Sequence, residues 1–280
     1  MISADLTKIS DRANNDLRDS FMTINVKSFF PETYILSGIK IITTGIVMSE
    51  TIIRKEINGF HVYEKSRNGG YVQILRDFSQ GKISYKPLNS GSEDRKVYLI
   101  DVEGTKYVLK WEKELDPRLE KRISRFIFGP YYSRLIYRVA AARKQGCTRT
   151  ANIYAVAEKV RHREAKETYV LAEYIEGTPL AELHDLSPYK AEIKACVENL
   201  HRHRLASNDI HPGNLILSTD GIRVIDLSDS GSLTICQVND AFALKKFYDI
   251  DLKMHNFIYS LIGFRNRFRD FSRKIRGKKR

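Results

Sequence analysis

The sequence predicts an α+β fold, with an antiparallel sheet in the first half of the chain and helices dominating the second. Two observations carry this. Runs rich in Val, Ile, Tyr and Phe, separated by glycine-containing turns, crowd residues 51–110. Helical spacing then takes over, as in Ile193, Val197 and Leu200 at i, i+4 and i+7. A length of 280 residues suits one large domain or two small ones, and 42% hydrophobic residues exclude bulk disorder.

Residues 1–47 are mixed polar and weakly periodic. They read as an N-terminal extension with Met48 as an alternative start, or as an ordered helix and strand. Phe60–Tyr63 reads as a strand, stopped by the turn Asn68-Gly69-Gly70, and Tyr71–Leu75 reads as another. Lys82–Tyr85 leads into the small-residue loop Asn89-Ser90-Gly91-Ser92. Lys96–Val102 and Lys106–Lys110, joined through Glu103-Gly104, form a hairpin signal. Pro117 to Gln145 reads as helical, opened by Asp116-Pro117 and broken at Gly129-Pro130. Tyr169–Ile175 is a buried-strand candidate ended by Gly177-Thr178-Pro179, and Ser187-Pro188 starts a further helix. Leu215–Leu217 and Arg223–Asp226, around Asp220-Gly221, make a second hairpin, and residues 240–276 are helical.

Charge and cysteine usage bound the function. Lys plus Arg number 47 against 34 Asp plus Glu, a net of +13, so a nucleic acid, an anionic membrane or a phosphorylated substrate is a candidate partner. Three widely spaced cysteines, Cys147, Cys196 and Cys236, with no CxxC pair, disfavour a disulfide framework or a cysteine zinc site. No secretory signal is visible, and the longest apolar stretches are too short to span a bilayer. These features point to a bacterial cytosol.

Three chemistry-bearing features occur in order. Lys110 ends the strand Tyr107-Val108-Leu109-Lys110; Asp209 precedes Asn214 by five residues in a polar loop after a helix; Asp226 ends an apolar strand twelve residues after Asn214. This is the order of parts in the kinase template for phosphoryl transfer. There a strand lysine holds the α/β-phosphates and a loop aspartate accepts the proton of the attacking hydroxyl. An asparagine and a second aspartate hold magnesium, which favours hard oxygen ligands and uses few protein carboxylates beside phosphates. Singly, each residue reads as a solvated strand end, a turn or a cap; the order, the apolar frame and the His211-Pro212 and Gly213-Asn214 dipeptides give the set its weight. His211 reads as structural, because no second histidine stands at a metal-ligand spacing.

The string Asn208-Asp209-Ile210-His211-Pro212-Gly213-Asn214-Leu215, followed by Val224-Ile225-Asp226-Leu227-Ser228, resembles bacterial small-molecule kinases of the protein-kinase-like superfamily. More closely, residues 50–280 resemble the lipopolysaccharide core heptose(II) kinases. The resemblance also rests on Gly129-Pro130-Tyr131-Tyr132, Glu173-Tyr174-Ile175-Glu176-Gly177, Leu200-His201-Arg202-His203 and the basic tail Ile275–Arg280. It implies a two-lobed protein-kinase-like fold, with residues 48–175 as an antiparallel-sheet N-lobe and residues 176–280 as a mostly helical C-lobe. It implies transfer of the ATP γ-phosphate to the second heptose of the inner core, with Mg2+ as cofactor and the lipid-anchored lipopolysaccharide core as partner. On it, Asp209 is the base, Asn214 and Asp226 hold the metal, and Lys110, Glu120, Glu173 and Ile175 serve nucleotide binding. Glu120 stands where the family has a helix glutamate for the lysine; Glu112 and Glu114 are rivals that follow the strand closely.

The chain departs from the kinase pattern in places. There is no GxGxxG loop, so Asn89–Ser92 would have to cover the phosphates with one glycine. Asn208 precedes the loop aspartate where such kinases often have Gly, and Asn tolerates the left-handed backbone such a turn needs. Leu227-Ser228 replaces Phe-Gly, no Ala-Pro-Glu follows, and only 54 residues remain after Asp226, which disfavours a protein kinase. Another small-molecule kinase of aminoglycoside or choline type, a catalytically dead kinase fold and a basic nucleic-acid-binding protein are the rival readings.

The excess charge is concentrated. Residues 264–280 hold nine Lys or Arg and one Asp, leaving a net of +5 for the preceding 263 residues. Phe257, Leu261, Phe264, Phe268, Phe271 and Ile275 make an apolar stripe on a basic amphipathic helix. It either packs on the C-lobe or lies on an anionic bilayer, a peripheral position at the inner face of the inner membrane. Nucleic acid is disfavoured, since no recognised binding motif accompanies the charge.

Overall fold

The computed structural model describes residues 51–65, 70–88, 93–113, 130–162, 164–229, 232–252, 254 and 257–265. Its main feature is one seven-stranded sheet. The strands are β1 (Ile52–Ile57), β2 (Phe60–Lys65), β3 (Tyr85–Pro87), β4 (Arg95–Val102), β5 (Thr105–Lys113), β6 (Ile153–Arg161) and β7 (Glu164–Glu173). They lie in the order β1-β2-β6-β7-β5-β4-β3, and every neighbouring pair is antiparallel. Helices α1 (Tyr71–Ser79), α2 (Tyr132–Lys144), α3 (Lys190–Arg202) and α4 (Leu233–Tyr248) accompany them. A small sheet of β8 (Thr178–Pro179), β9 (Leu215–Ser218) and β10 (Gly221–Val224) sits among the later helices.

Strand alternation sorts side chains to two faces of the large sheet. Leu109, Trp111, Ala155, Ala157, Tyr169 and Leu171 form one buried cluster with Val72 and Leu75 of α1. Val156 and Val170, one residue out of step, join the second cluster with Leu135, Ile136 and Val139 of α2. That cluster continues into α3, β9, β10 and α4 through Ile193, Val197, Leu215, Val224 and Leu244. The sheet therefore has α1 on one side and α2 with the helical part of the chain on the other. Lys110 and Glu112 share the pleat opposite to Leu109 and Trp111, so period-2 geometry alone aims them toward α2 and the helical part.

Tyr71–Leu75, expected to be a strand, is the start of α1. Val72, Leu75 and Ser79 are its buried residues, a helical spacing that the β-prone composition of the segment masks. Glu64 of β2 accepts the Val72 main-chain N–H at 2.9 Å and so satisfies a donor in the first turn. Strand β6 is not among the sequence expectations, and the predicted 240–276 helix is interrupted at Asp249, a left-handed residue at φ 54°. Beyond it, residues 257–265 are helical (α5). This segment packs through Tyr259, stacked on Phe242 at 4.8 Å, and the buried Ile262. The stripe residues Phe257, Leu261 and Phe264 face outward instead, at 79%, 55% and 70% exposure. Residues 1–47, Asn89–Ser92 and the stripe beyond 265 lie outside the described residues. The three cysteines are buried and free of disulfides, and burial pushes the thiol of Cys196 up to about 12.

The chain passes from the large sheet to the small one at Gly177, whose φ of 155° suits glycine. A Cβ there would stand 2.3 Å from the Leu217 carbonyl oxygen. Gly177→Ala is expected to destabilise the fold by about 2 kcal/mol or more, read as a fall in the urea midpoint.

Candidate active site

Strand β5 delivers Lys110 and strand β10 delivers Asp226 just beyond its end. The Lys110 ammonium donates to Asp226 Oδ1 at 2.7 Å and to the Ile225 carbonyl at 3.3 Å. Lys110 is 21% exposed at its side chain and Asp226 48%, so the pair sits at the edge of the packed interior. Glu112, two residues along β5, lies opposite Arg95 of β4, at 3.9 Å, and accepts from the Tyr132 hydroxyl at 3.2 Å. Burial pushes its carboxyl up, opposed by Arg95.

The polar loop after α3 is bonded tightly to the segment that carries Asp226. Ser207 Oγ donates to the Asp226 carbonyl at 2.7 Å, Ser228 N–H donates to Ala206 O at 3.0 Å, and Ile225 N–H donates to Asn214 O at 3.1 Å. Within the loop, Asn214 Nδ2 donates to the Asp209 carbonyl at 3.0 Å. Asn208 takes the left-handed conformation, φ 67°, and accepts from Asn239 Nδ2 at 2.7 Å. His211 caps the following turn: its Nδ1 accepts from Gly213 N–H at 3.0 Å, which leaves its proton on Nε2, 4.0 Å from Asp209 Oδ2. The Asp209 carboxylate is 68% exposed. From below, the fully buried Asp240 of α4 accepts from Ser207 N–H at 3.0 Å and lies 3.1 Å from His201 Nε2. Burial pushes the Asp240 carboxyl up, while His201 and the main-chain N–H groups pull it down.

The structure thus brings Lys110, Asp226, Asn214 and Asp209 into one bonded unit. Glu120 lies outside the described residues. Glu173 is placed differently from a free nucleotide ligand. Its carboxylate accepts from Arg223 Nη2 at 2.8 Å, Arg143 Nη2 at 2.5 Å and the Asn152 N–H at 2.9 Å, and its own N–H donates to Asn152 O at 2.9 Å. Ile175 is buried with Ala151 and Ile216. Sequence reasoning named Glu112 only as a rival to Glu120, and overlooked Asp229 and Asp240. Alternation from Lys110 puts Glu112 on the same strand face; nothing local marks Asp240, which acts across a distance of 33 residues on Ser207.

Among the described residues no cluster of three or more His, Cys, Asp or Glu stands ready to hold a metal. The oxygen donors at the site are one half-exposed carboxylate and one amide, a set that fits a hard cation sharing its coordination with phosphate oxygens.

A strand lysine meeting an acid beyond a β-hairpin, beside an Asp–x4–Asn loop, has the parts of the kinase template for phosphoryl transfer. The chain belongs to the family described as lipopolysaccharide core biosynthesis protein (WaaY), which it matches over residues 51–278. It is 31% identical to a lipopolysaccharide core heptose(II) kinase WaaY of Escherichia coli over 221 residues, 79% of this chain and 96% of that protein. It is 28% identical to the heptose(II) kinase WaaY of E. coli strain K12 over 228 residues, 81% of this chain and 98% of that one. The crystal structure of the Mycobacterium tuberculosis PknI kinase domain superposes with a TM-score of 0.39 at 17% identity, over 58% of this chain and 70% of that chain.

Glu173→Ala would leave Arg143 and Arg223 partly buried without their carboxylate. The expected loss is about 3–5 kcal/mol of folding stability, measured by urea unfolding.

Proposed function

We propose that this protein transfers the γ-phosphoryl group of ATP to the second heptose of the lipopolysaccharide inner core during core biosynthesis. The observation that carries this is the bonded unit of Lys110, Asp226, Asn214 and Asp209 in a chain that aligns with nearly the full length of two named heptose(II) kinases. Lys110 binds the α/β-phosphates through its ammonium group, exchanging part of its contact with Asp226 for phosphate oxygens. Asp209, exposed and tethered through its carbonyl by Asn214, accepts the proton of the attacking sugar hydroxyl. Asn214 and Asp226 would hold Mg2+, which when bound neutralises charge on the transferring phosphoryl group. Glu120 is the helix acid for Lys110 in this reading. The adenine is read by main-chain groups from Glu173 to Ile175, where the N-lobe of residues 48–175 gives way to the C-lobe of residues 176–280.

The acceptor is anchored in a membrane, and the chain carries a matching surface. Phe257, Leu261 and Phe264 are exposed on α5, and Arg265 opens a run in which residues 264–280 hold nine Lys or Arg. Exposed apolar residues beside clustered cations suit peripheral binding to an anionic bilayer at the cytoplasmic face of the inner membrane. No helix among the described residues is long and apolar enough to cross it.

Asp209→Ala is expected to reduce phosphoryl transfer by about 100-fold or more while ATP still binds. Mass spectrometry of unphosphorylated core oligosaccharide incubated with ATP and Mg2+ reads the transfer, and retained turnover would remove Asp209 from the base role. Deleting residues 265–280 is expected to lower partitioning onto vesicles containing anionic phospholipid by about tenfold or more; unchanged co-sedimentation would retire the membrane contact.

A further inference from the structure

Three residues past Asp226 stands a second acid that phosphoryl transfer does not directly require. Asp229 is buried, at 1% exposure, and is held by two arginines of α2. Arg134 Nε lies 3.0 Å from Asp229 Oδ2, Arg134 Nη2 donates to the Asp229 carbonyl at 2.8 Å, and Arg138 Nη1 lies 2.6 Å from Oδ1. Arg134 and Arg138 are four residues apart, so one helical face presents both. The Arg134 guanidinium grips the Asp229 carboxylate and main-chain carbonyl together, which fixes orientation as well as place, while Arg138 adds a close charge contact that is not a hydrogen bond.

The same helix grips the sheet. Next to these arginines, the Tyr132 hydroxyl donates to Glu112 on the lysine strand β5, and Ser133 N–H donates to the buried Glu158 on β6 at 3.3 Å. The first turns of α2 are thus bonded at once to the strand bearing Lys110 and to the segment bearing Asp226. On its other side that segment is fixed by Ser207 and Ala206. Residues 226–229 are consequently suspended between the polar loop and α2, with the Leu227 side chain buried between.

We infer that Asp229, with Arg134 and Arg138, is a positioning device for the phosphoryl-transfer site: it sets the Asp226 carboxylate at a fixed place relative to Lys110 by tying its segment to α2. This rests on the reading of Asp226 as a metal ligand. A buried acid compensated by two half-exposed arginines adds little stability that apolar packing would not supply. Its placement beside Asp226 gives it a role in orientation. Releasing it leaves Asp226 free to follow Lys110, and the metal loses a preset oxygen.

The test is calorimetric binding of ATP to the full-length protein with and without Mg2+. Asp229→Asn and the paired substitution Arg134→Gln with Arg138→Gln are each expected to weaken Mg2+-promoted ATP binding by about 10–100-fold. Metal-free ATP binding should change by less than about threefold. Urea unfolding of each variant separates positioning from loss of fold, and the half-exposed arginines serve if Asp229→Asn does not fold. Asp226→Asn is the benchmark. If it leaves Mg2+ dependence intact, the metal-ligand reading of Asp226 fails. If it removes that dependence while the folded arginine variants keep it, the positioning role of Asp229 is overturned.

Discussion

Lys110 and Asp226 are 116 residues apart in the chain and meet at 2.7 Å. The contact needs two independent pieces of geometry. On β5, alternation must turn Lys110 away from the cluster that buries Leu109 and Trp111. At the end of β10, the chain must leave the ladder where Ile225 still bonds to Asn214. A shift of one residue in the register of β5 would send Lys110 into the apolar face and bring Leu109 to the site. The long ladders between β5 and both its neighbours, Lys110 opposite Val97 and Val170, oppose such a slip.

Around that contact the protein invests in buried polar groups. Asp240 receives the loop after α3, Asp229 receives two arginines, and Glu173 receives two more. Each acid draws its partners from distant segments, although Asp229 Oδ1 and Asp240 Oδ1 accept no hydrogen bond. Such groups contribute modestly to net stability, but an unpaired member is severely penalised. They therefore act mainly by exclusion: a backbone arrangement that separates the partners is forbidden. The apolar clusters on the two sheet faces provide the cohesion, and the acids choose the arrangement.

Much of this was legible in the sequence, and the boundary of legibility is physical. The hairpins around Glu103-Gly104 and Asp220-Gly221, the helix with Ile193, Val197 and Leu200, and the order Lys110, Asp209, Asn214, Asp226 all depend on local periodicity or turn chemistry. The α1 segment reads as a strand because Tyr71-Val72-Gln73-Ile74-Leu75 has strand composition, and only its docking on β2 and the Glu64 contact make it helical. Strand β6 escapes because the alanines at 155 and 157 give no β signal, although both are buried in the cluster under α1. The buried acids escape because burial of a charge is decided by partners tens of residues away, arginines for Asp229 and His201 with Ser207 for Asp240. Glu173 shows this well. Its position at the strand end suggests nucleotide contact, while Arg143 and Arg223 occupy its carboxylate.

That same knot of Glu173, Arg143 and Arg223 joins β7, α2 and β10, and beside it Gly177 lies directly on the Leu217 backbone. This corner is fixed by the passing chain and by the ion pairs together. Tyr107 pairs with Glu173 and Lys110 with Val170, so the lysine sits about 10 Å along the strand from it. The β3–β4 edge lies two and three strands further out. Lys110 is thus placed from a fixed corner, with only three residues of strand over which an error of geometry could accumulate.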